Sequence, residues 1–397
     1  MEEFDLDKRI FKGLKDNPGL DMLRFAVIKL ESCNGTKSIS FSEVTCEYEV
    51  LRNKTNRRPC VFPFTLIFNE GVSFLESLEK GSSDDIKNME PHMKEAVLRL
   101  NAFYKSIEYN ETCLKKVFDM KVKGEEMAAT ETDISITLAE HLLGKLAPGE
   151  SYKIDNKARG KKSCRCGCKV TPVFDGTGIG HEQVWHGFID IVFSSHLGLH
   201  SMANTVLDIE ENISKKRRVD EQDETNDDSP GRKTITEVKQ ALPENILSQA
   251  IAQTIVFSLL QKQKHPEFLH HMIPNIVISP EKLEIMMYDS DNDVLLCSNP
   301  IHIFNLDLPE NRTLIDETVV IIWMVLHYRI FGTGLNKATP YLLERCKSNF
   351  TQLVASKWDI YSKSLKSCVP GFPSVQKWPL GELIQCGETL KFESDDF

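Results

Sequence analysis

The chain of 397 residues lacks a long uninterrupted apolar segment. Its longest run, residues 319–326, is far shorter than the roughly 20 residues that a helix needs to cross a bilayer. The acidic start, residues 1–5, also lacks the apolar stretch of a secretory signal peptide. We therefore expect an intracellular protein, nuclear or cytoplasmic, with no membrane partner.

Several catalytic signatures are also missing. The sequence contains no Gly-x-Ser-x-Gly segment, which serine hydrolases of the α/β type use to present their nucleophile. The glycines at 176, 178 and 180 are not followed by the Lys-Ser/Thr of a phosphate-binding loop, so residues 175–180 predict a hairpin turn. No internal repeat is present. A repeat architecture, a P-loop enzyme and a serine hydrolase of this type are thereby disfavoured.

The bulk composition is that of a soluble globular protein, with 41% hydrophobic and 27% charged residues. The odd count of 11 cysteines favours a reducing compartment. The net charge of −10 argues at first against a nucleic-acid partner, but nine acidic and four basic residues fall within 208–228 alone. Because the local field at a site decides binding, the net charge does not exclude such a partner.

The chain divides by pattern into three regions. Residues 1–125 predict a mixed, mostly helical region of unknown role, with a buried strand at 61–68 and a helix at 91–109. Residues 126–310 predict an α/β core, and residues 311–397 a helical extension that begins with an apolar helix at 318–331. The length suits two or three domains of ordinary size.

An acidic, polar insert at 208–233 interrupts the predicted core and has the composition of a disordered loop. It contains four consecutive basic residues, Lys215, Lys216, Arg217 and Arg218. Such a cluster in an exposed loop can act as a nuclear import signal, and it can equally be a solvated run of charge. Both interpretations stay open.

The elements of the predicted core follow a definite order. A helix at 132–146, with Thr132 or Asp133 at its start, precedes strands at 168–174, 183–193 and 235–241. A helix at 243–262 begins at a proline, which suits a first helical turn, and a strand at 273–278 follows. Two further strands are predicted at 283–288 and 294–297.

Two of these strands carry charges where apolar residues are expected. Asp190 lies in the second strand, and Glu237 and Lys239 lie on one face of the third, since successive strand residues alternate faces. An unpaired buried charge costs roughly several kcal/mol of folding free energy. We therefore expect these charged side chains to pair with each other or to bind a metal ion. Two carboxylates suit Mg²⁺. Alternatively, Asp190 caps a turn or pairs with a buried arginine, and Glu237 and Lys239 form an edge-strand pair.

These residues resemble the motifs of a known family. Gly187-x-x-Asp190, Glu237-x-Lys239 and Gln253-x-x-x-Phe257 are similar to the G-x-x-D, (D/E)-x-K and Q-x-x-x-Y motifs of PD-(D/E)XK nucleases, closest to the RecB and λ exonuclease branch. The resemblance covers roughly residues 130–300. Ile189 replaces the proline that precedes the aspartate, Phe257 replaces the tyrosine, and the insert before the third strand is long.

The resemblance implies an α/β fold with a restriction-endonuclease-like core, which consists of a helix, a three-stranded meander, a helix and a further strand. Mainly helical N- and C-terminal extensions would surround that core. It also implies a nuclease that hydrolyses phosphodiester bonds in DNA with Mg²⁺ or Mn²⁺. The implied metal ligands are Asp190, Glu237 and Glu140, and the implied catalytic residues are Lys239 and the helix glutamine, Gln253 or Gln249. The alternatives are an inactive nuclease fold that binds nucleic acid or partners, and a zinc-stabilised interaction module.

A cysteine cluster supports the zinc alternative. Cys164, Cys166 and Cys168 lie close together in the sequence. Of these, Cys164 and Cys168 precede His181 and His186 at the Cys-x3-Cys-x12-His-x4-His spacing of a C2H2 zinc finger. The histidines of such a finger lie on a helix, whereas these follow three glycines in a strand-like segment, so a classical finger is not expected. Two interpretations therefore stay open. The cysteines either form a different zinc site that uses some of these thiolates, or they are free thiols in a turn.

The same segment is rich in basic residues, which can contact DNA phosphates beside a nuclease site and make binding salt-dependent. The alternative is a solvated loop. These residues are Lys157, Arg159, Lys161, Lys162, Arg165 and Lys169.

Overall fold

A computed structural model describes residues 6–15, 19–48, 61–81, 89–120, 129–149, 151–158, 163–194, 200–205, 244–305 and 312–369. The predicted insert at 208–233 and the predicted strand at 235–241 lie outside these residues. Within them, fifteen strands form two sheets, and helices cover the larger sheet. The prediction of an α/β protein is therefore confirmed.

The strands are numbered in chain order. They are β1 (Arg24–Cys33), β2 (Ile39–Ser40), β3 (Val44–Tyr48), β4 (Val61–Pro63), β5 (Ser151–Asp155), β6 (Val173–Asp175), β7 (Gly178–Gly180), β8 (Trp185–Phe188), β9 (Ile191–Ser194), β10 (His200–Thr205), β11 (Met272–Ile278), β12 (Lys282–Asp289), β13 (Val294–Ser298), β14 (Ile301–His302) and β15 (Lys366–Ser367).

The larger sheet has the strand order β3-β1-β13-β12-β11-β10-β9-β5-β6, with β4 beside β1 and β14 beside β12. Its pairs are antiparallel except β10 with β11 and β5 with β6, which are parallel. The predicted strands at 273–278, 283–288 and 294–297 are confirmed as β11, β12 and β13, and every residue of β11 and β13 is buried. Their nearly continuous apolar sequence reflects cover on both faces of the sheet.

The smaller sheet has the order β15-β7-β8-β2. It buries Trp185, whose indole stacks on Phe350 with ring centroids 5.5 Å apart and donates a hydrogen bond to Asn34 Oδ1 at 2.7 Å. This sheet joins segments from the start, the middle and the end of the described chain, since β2, β8 and β15 all contribute to it.

The helices occur in both terminal regions and in the centre. They are Arg9–Lys15, Gly19–Met22, Phe64–Ile67, Asn69–Lys80, Pro91–Lys105, Ile107–Phe118, Glu131–Leu138, Gly144–Leu146, Glu244–Lys264, Asp316–Leu326, Tyr328–Phe331, Pro340–Arg345, Phe350–Leu353 and Trp358–Lys363, with a 3₁₀ turn at Ala355–Lys357. The predicted helices at 91–109, 243–262 and 318–331 are confirmed, although the first and the third are each broken into two.

The Glu244–Lys264 helix packs against β11 and β12, and the Trp358–Lys363 helix covers it from outside. Because the helix is buried nearly all round, its polar side chains bond to backbone inside the core. Thr254 Oγ1 donates to Ala250 O at 2.6 Å, and Ser258 Oγ contacts the carbonyls of His271 and Tyr288, each at 2.9 Å. None of the described helices combines the length and the apolarity that crossing a membrane requires.

The helix predicted at 132–146 is present, but its middle is a π turn. Ala139–Leu143 is π-helical between the Glu131–Leu138 and Gly144–Leu146 segments. Thr130 caps the start, because its side chain accepts from the Asp133 N–H while the Asp133 carboxylate accepts from the Thr130 N–H. Gly144 lies so close to Ala139 O that a Cβ would clash there. Single π turns within α-helices are frequent at functional sites.

Four predicted elements are wrong in detail. The apolar run at 61–68 is a strand only to Pro63 and then turns into the Phe64–Ile67 helix. Of the predicted strand at 168–174, the last two residues enter β6. The predicted strand at 183–193 is two strands, β8 and β9, which belong to different sheets, and the hairpin turn lies between β7 and β8 rather than at 175–180.

Candidate functional site

Asp190 lies where the chain passes from the smaller sheet to the larger one. It follows β8 and immediately precedes β9, in a bend between the two strands. The side chain is half-buried. At this junction the Asp190 carboxylate lies at an end of the larger sheet and does not interrupt a strand.

Two further carboxylates lie at the same edge of the larger sheet. Asp155 ends β5 and Asp175 ends β6, and the two are paired in register. The Asp155 N–H donates to Asp190 O at 3.0 Å, which continues the β5–β9 pairing to Asp190. Asp155, Asp175 and Asp190 thus occupy three neighbouring strand ends, and we call them the carboxylate edge. Of these three residues, the sequence predicts only Asp190 as a site residue, because the positions of the other two depend on strand pairing.

A lysine partly offsets the charge of this edge. Lys153 Nζ lies 3.1 Å from Asp175 Oδ2, and the Gly176 N–H donates to Asp175 Oδ1 at 2.7 Å. The Gly176 N–H and the Lys153 ammonium lower the pKa of the Asp175 carboxyl, which therefore remains ionised at neutral pH. Oxygen ligands of this kind are those that Mg²⁺ prefers.

A series of amide hydrogen bonds connects the edge to the core. The Asp190 N–H points to Asn204 Oδ1 at 3.5 Å, on β10. Asn204 Nδ2 donates to Asn275 Oδ1 at 2.9 Å, on β11, and Asn275 Nδ2 donates to Thr254 Oγ1 at 2.9 Å, on the Glu244–Lys264 helix. Both asparagines are buried. These bonds fix the bend at Asp190 against the helix.

The two predicted helix glutamines have different environments. Gln253 is 1% exposed, and its Nε2 donates to Phe188 O at 2.8 Å, two residues before Asp190. Gln249, one turn earlier, is exposed. Lys157 also approaches this segment, with its ammonium 3.7 Å from the centroid of the Phe188 ring. The structure therefore gathers Gln253, Lys157 and Asp190 around Phe188, and Gln253 acts by holding the backbone there.

Glu140 lies farther from Asp190 than the sequence analysis expected. Its carboxylate accepts from the Tyr152 hydroxyl at 2.7 Å and pairs with Lys145 at 3.4 Å. Burial is the largest cause of the raised pKa of Tyr152, and the hydrogen bond to Glu140 is the second. Tyr152 pairs with Phe193, three residues along β9 from Asp190. At about 3.3 Å per residue, this is a separation of about 10 Å along the strand.

Other predicted residues divide between the described and the undescribed parts of the chain. Arg165 pairs with the fully buried side chain of Asp133 at 3.2 Å, and Lys169 is exposed in a left-handed conformation, φ 64°. Outside the described residues lie Glu237, Lys239, Arg159, Lys161, Lys162 and the basic cluster Lys215, Lys216, Arg217 and Arg218. Arg165 therefore has a structural partner, while Lys157 and Lys169 can face a polyanion.

The three clustered cysteines meet a histidine that the sequence analysis did not consider. His141, on the π turn, joins Cys164, Cys166 and Cys168, and the ligand atoms of all four lie within 4.8 Å of one another. We call these four residues the thiol cluster. No sequence spacing connects them, because His141 comes from a helix 23 residues before Cys164. The finger-like spacing selected His181 and His186, which lie around the turn between β7 and β8.

Burial determines the protonation of this cluster when no cation is present. It raises the pKa of the Cys164 thiol to about 12 and that of Cys166 to about 11, and it lowers the pKa of His141. Cys164 and Cys166 are then protonated thiols near pH 7, and His141 is a neutral imidazole. A bound metal ion would reverse this, since a coordinated thiol loses its proton. Sulfur and imidazole ligands favour zinc-type metals over Mg²⁺.

Comparisons with models of known protein families, with curated proteins and with solved structures found no match to this chain.

Proposed function

We propose that this protein is a PD-(D/E)XK-type nuclease that hydrolyses phosphodiester bonds in DNA with Mg²⁺ or Mn²⁺. The observation that carries the proposal is the connectivity around the carboxylate edge. Along the described chain, the helix that ends at Leu146 is followed by β5 and, after β6, β7 and β8, by β9 and β10. The Glu244–Lys264 helix and then β11 come next. In the sheet, β5, β9 and β10 are antiparallel neighbours, and β11 is parallel to β10.

This connectivity supports the arrangement that the motif resemblance implies, namely a helix, a three-stranded meander, a helix and a further strand. The first strand is β5 instead of the segment at 168–174, and the third is β10 instead of the segment at 235–241, which lies outside the described residues. Residues 156–189, with the turn of the thiol cluster, β6 and two strands of the smaller sheet, are inserted between the first strand and Asp190. Asp190 immediately precedes the second strand, β9, and Gln253 lies on the second helix. Asp190 and Gln253 thus lie at elements where the motif resemblance expects them, while Glu237 and Lys239 lie outside the described residues.

The donor chemistry of the carboxylate edge fits Mg²⁺. Asp155, at the end of β5, and Asp190, just before the adjacent strand β9, are half-buried, and their carboxylates are oxygen ligands of the hard type. With Glu237, they would hold the metal, which when bound polarises the scissile phosphate and lowers the pKa of a coordinated water. Glu140 would not be a direct ligand, because it contacts Tyr152, which is three residues from Asp155 on β5 and therefore points to the opposite face of the sheet.

Other side chains would provide catalysis, positioning and DNA contacts. Lys239 would orient the attacking water and offset negative charge as it develops on the phosphate. Gln253 holds the Phe188 carbonyl and thereby the bend at Asp190, so it is a positioning residue. Lys157 and Lys169, exposed on the same segment of chain, would contact DNA phosphates.

The proposal is tested by a cleavage assay on linear duplex, single-stranded and closed circular DNA, with Mg²⁺, Mn²⁺ or EDTA. We expect metal-dependent cleavage that Lys239→Ala lowers by at least about 100-fold, because removing one transition-state stabiliser commonly costs that much. The matched control is Lys363→Ala, which removes a lysine whose side chain is 73% exposed and pairs with Asp359. The circular substrate separates cleavage at ends from internal cleavage.

Two results would contradict the proposal. DNA binding without cleavage on any substrate would indicate an inactive nuclease fold that binds nucleic acid. Cleavage that survives both Lys239→Ala and EDTA would come from a contaminant or from a different site.

A further inference from the structure

The geometry of the thiol cluster points to a second metal site, separate from the carboxylate edge and independent of any nuclease activity. We propose that His141, Cys164, Cys166 and Cys168 bind one zinc ion in a closed tetrahedral site, which ties the turn at 163–169 to the π-helical turn. Four facts support this site: the distances, the hydrogen bonds of the histidine, the shape of the turn and the nearby charge.

The distances are those of a tetrahedral zinc site. His141 Nε2 lies 3.2 Å from Cys166 Sγ and 3.7 Å from Cys164 Sγ, and the two sulfurs are 3.3 Å apart. Zinc bonds of about 2.3 Å to sulfur and about 2.0–2.1 Å to nitrogen place tetrahedral ligand atoms about 3.5–3.8 Å apart. Zinc binding would therefore require these three atoms to shift by only a few tenths of an ångström. Cys168 would supply the fourth ligand.

The histidine is oriented as a zinc ligand. Its Nδ1 lies 3.3 Å from the Oδ1 of Asn110, which is 1% exposed. The Asn110 amide nitrogen donates to Ser106 Oγ at 3.1 Å, so its oxygen is the atom that faces the ring. The proton of His141 is therefore on Nδ1, which leaves the Nε2 lone pair directed at the sulfurs. Zinc-bound histidines commonly have such a second hydrogen bond.

The turn at 163–169 is shaped around the sulfurs. Gly167 and Lys169 both have left-handed backbone conformations, φ 97° and 64°. The Cys164 N–H donates to Val170 O at 2.8 Å and closes the turn. The Cys168 N–H donates to Cys166 Sγ at 3.3 Å, a contact that stabilises a thiolate more than a thiol.

The charge of the site is also compensated. Three thiolates and Zn²⁺ leave one negative charge, and Lys116 lies beside it, with Nζ donating to Cys166 O at 2.7 Å. Four protein ligands leave no open position, which is the pattern of structural rather than catalytic zinc. A zinc ion here would hold together segments that precede and follow β5, because His141 comes before that strand and the cysteines after it.

The test uses the full chain, purified under reducing conditions and dialysed against EDTA, with zinc measured by plasma mass spectrometry. We expect about one zinc ion per chain, and substitution with Co²⁺ should give the intense visible absorption of a tetrahedral thiolate site. Cys166→Ser and His141→Ala should each lose the metal, whereas Cys168→His should retain it, because imidazole is also a zinc ligand.

Two controls separate loss of a ligand from loss of a buried cysteine. Cys346→Ser changes a fully buried cysteine far along the chain, and Cys113→Ser changes a buried thiol that contacts Cys166 without belonging to the cluster. Both should retain zinc. If Cys166→Ser does not fold, Cys168→Ser, at a half-buried position, gives the same test.

The inference is overturned if the reduced wild-type protein binds neither zinc nor Co²⁺. It is also overturned if zinc content is equal in the wild type and in the ligand variants, or if peptide mapping of the freshly purified protein finds a Cys164–Cys166 disulfide in place of the metal.

Discussion

The two glutamines of the Glu244–Lys264 helix provide a matched pair of substitutions. Gln253→Leu removes the donor that holds Phe188 O at 2.8 Å, and leucine has a similar volume, so little cavity is created. The main cost is then a half-buried carbonyl without its partner, about 1–3 kcal/mol of the free energy of unfolding. Gln249→Leu changes an exposed position one turn earlier and should alter that free energy by less than about 0.5 kcal/mol.

The measurement is urea unfolding followed by tryptophan fluorescence, because Trp185 and Trp323 are fully buried and report on both sheet and helices. We expect the unfolding midpoint of Gln253→Leu to fall at an unchanged m-value, since the amount of surface exposed on unfolding stays the same. Equal midpoints for the two variants, or a larger decrease for Gln249→Leu, would refute the assignment of Gln253 as the residue that holds the bend before Asp190.

Three further predictions concern other parts of the fold. Gly187→Ala places a Cβ 2.5 Å from the Phe41 ring, so it should lower the free energy of unfolding by about 1–3 kcal/mol, and Phe41→Leu in the same chain should restore part of it. Burial raises the pKa of Glu284 to about 7 from 4.5, so the folded state keeps a proton that the unfolded state releases between these pH values, and stability falls as pH rises through this window. Glu284→Gln should therefore gain about 3 kcal/mol on the wild type between pH 4.5 and pH 8, and a constant difference in paired denaturation curves would contradict this. Arg165→Ala leaves the buried Asp133 carboxylate without its cation and should cost about 1–3 kcal/mol in the same assay, whereas Lys169→Ala at an exposed position should cost less than about 0.5 kcal/mol; similar losses would refute the structural role of Arg165.

Secondary structure is predicted best from the sequence in segments whose residues are nearly all buried. The runs that become β11, β12 and β13 are short, apolar and bounded by turn residues, and a strand is the structure that fits such a run. The run at 61–68 has the same character, yet it becomes a strand to Pro63 and then the Phe64–Ile67 helix. Periodicity alone does not distinguish a fully buried strand from a buried helix, and tertiary packing decides the outcome here.

The carboxylate edge could be predicted only in part. Asp190 stands out because it interrupts an apolar run, but the run was interpreted as one strand, whereas the chain changes sheets at this residue. Asp155 and Asp175 become its neighbours through the β5–β6 and β5–β9 pairings, which link segments up to 35 residues apart in sequence. Strand pairing at this range has no local signature, so the sequence identified one member of the group.

The thiol cluster illustrates the same limit for ligands. The spacing of Cys164, Cys166 and Cys168 marks a candidate site from the sequence. The fourth ligand, His141, lies on a helix whose π turn is not encoded in any simple pattern, and the downstream histidines match a finger spacing by chance. Ligands that come from different elements are found only when the packing of those elements is known.

The proposed activity is tested most directly by the rate at which Asp190→Asn cleaves linear duplex DNA at saturating Mg²⁺. Asparagine preserves the size of the side chain and removes its charge, and Asp359→Asn, at a side chain 88% exposed, is the matched control. We expect cleavage by Asp190→Asn to fall at least about 100-fold while the control retains the wild-type rate. Equal rates for Asp190→Asn and the wild type would contradict a metal-dependent nuclease site at the carboxylate edge.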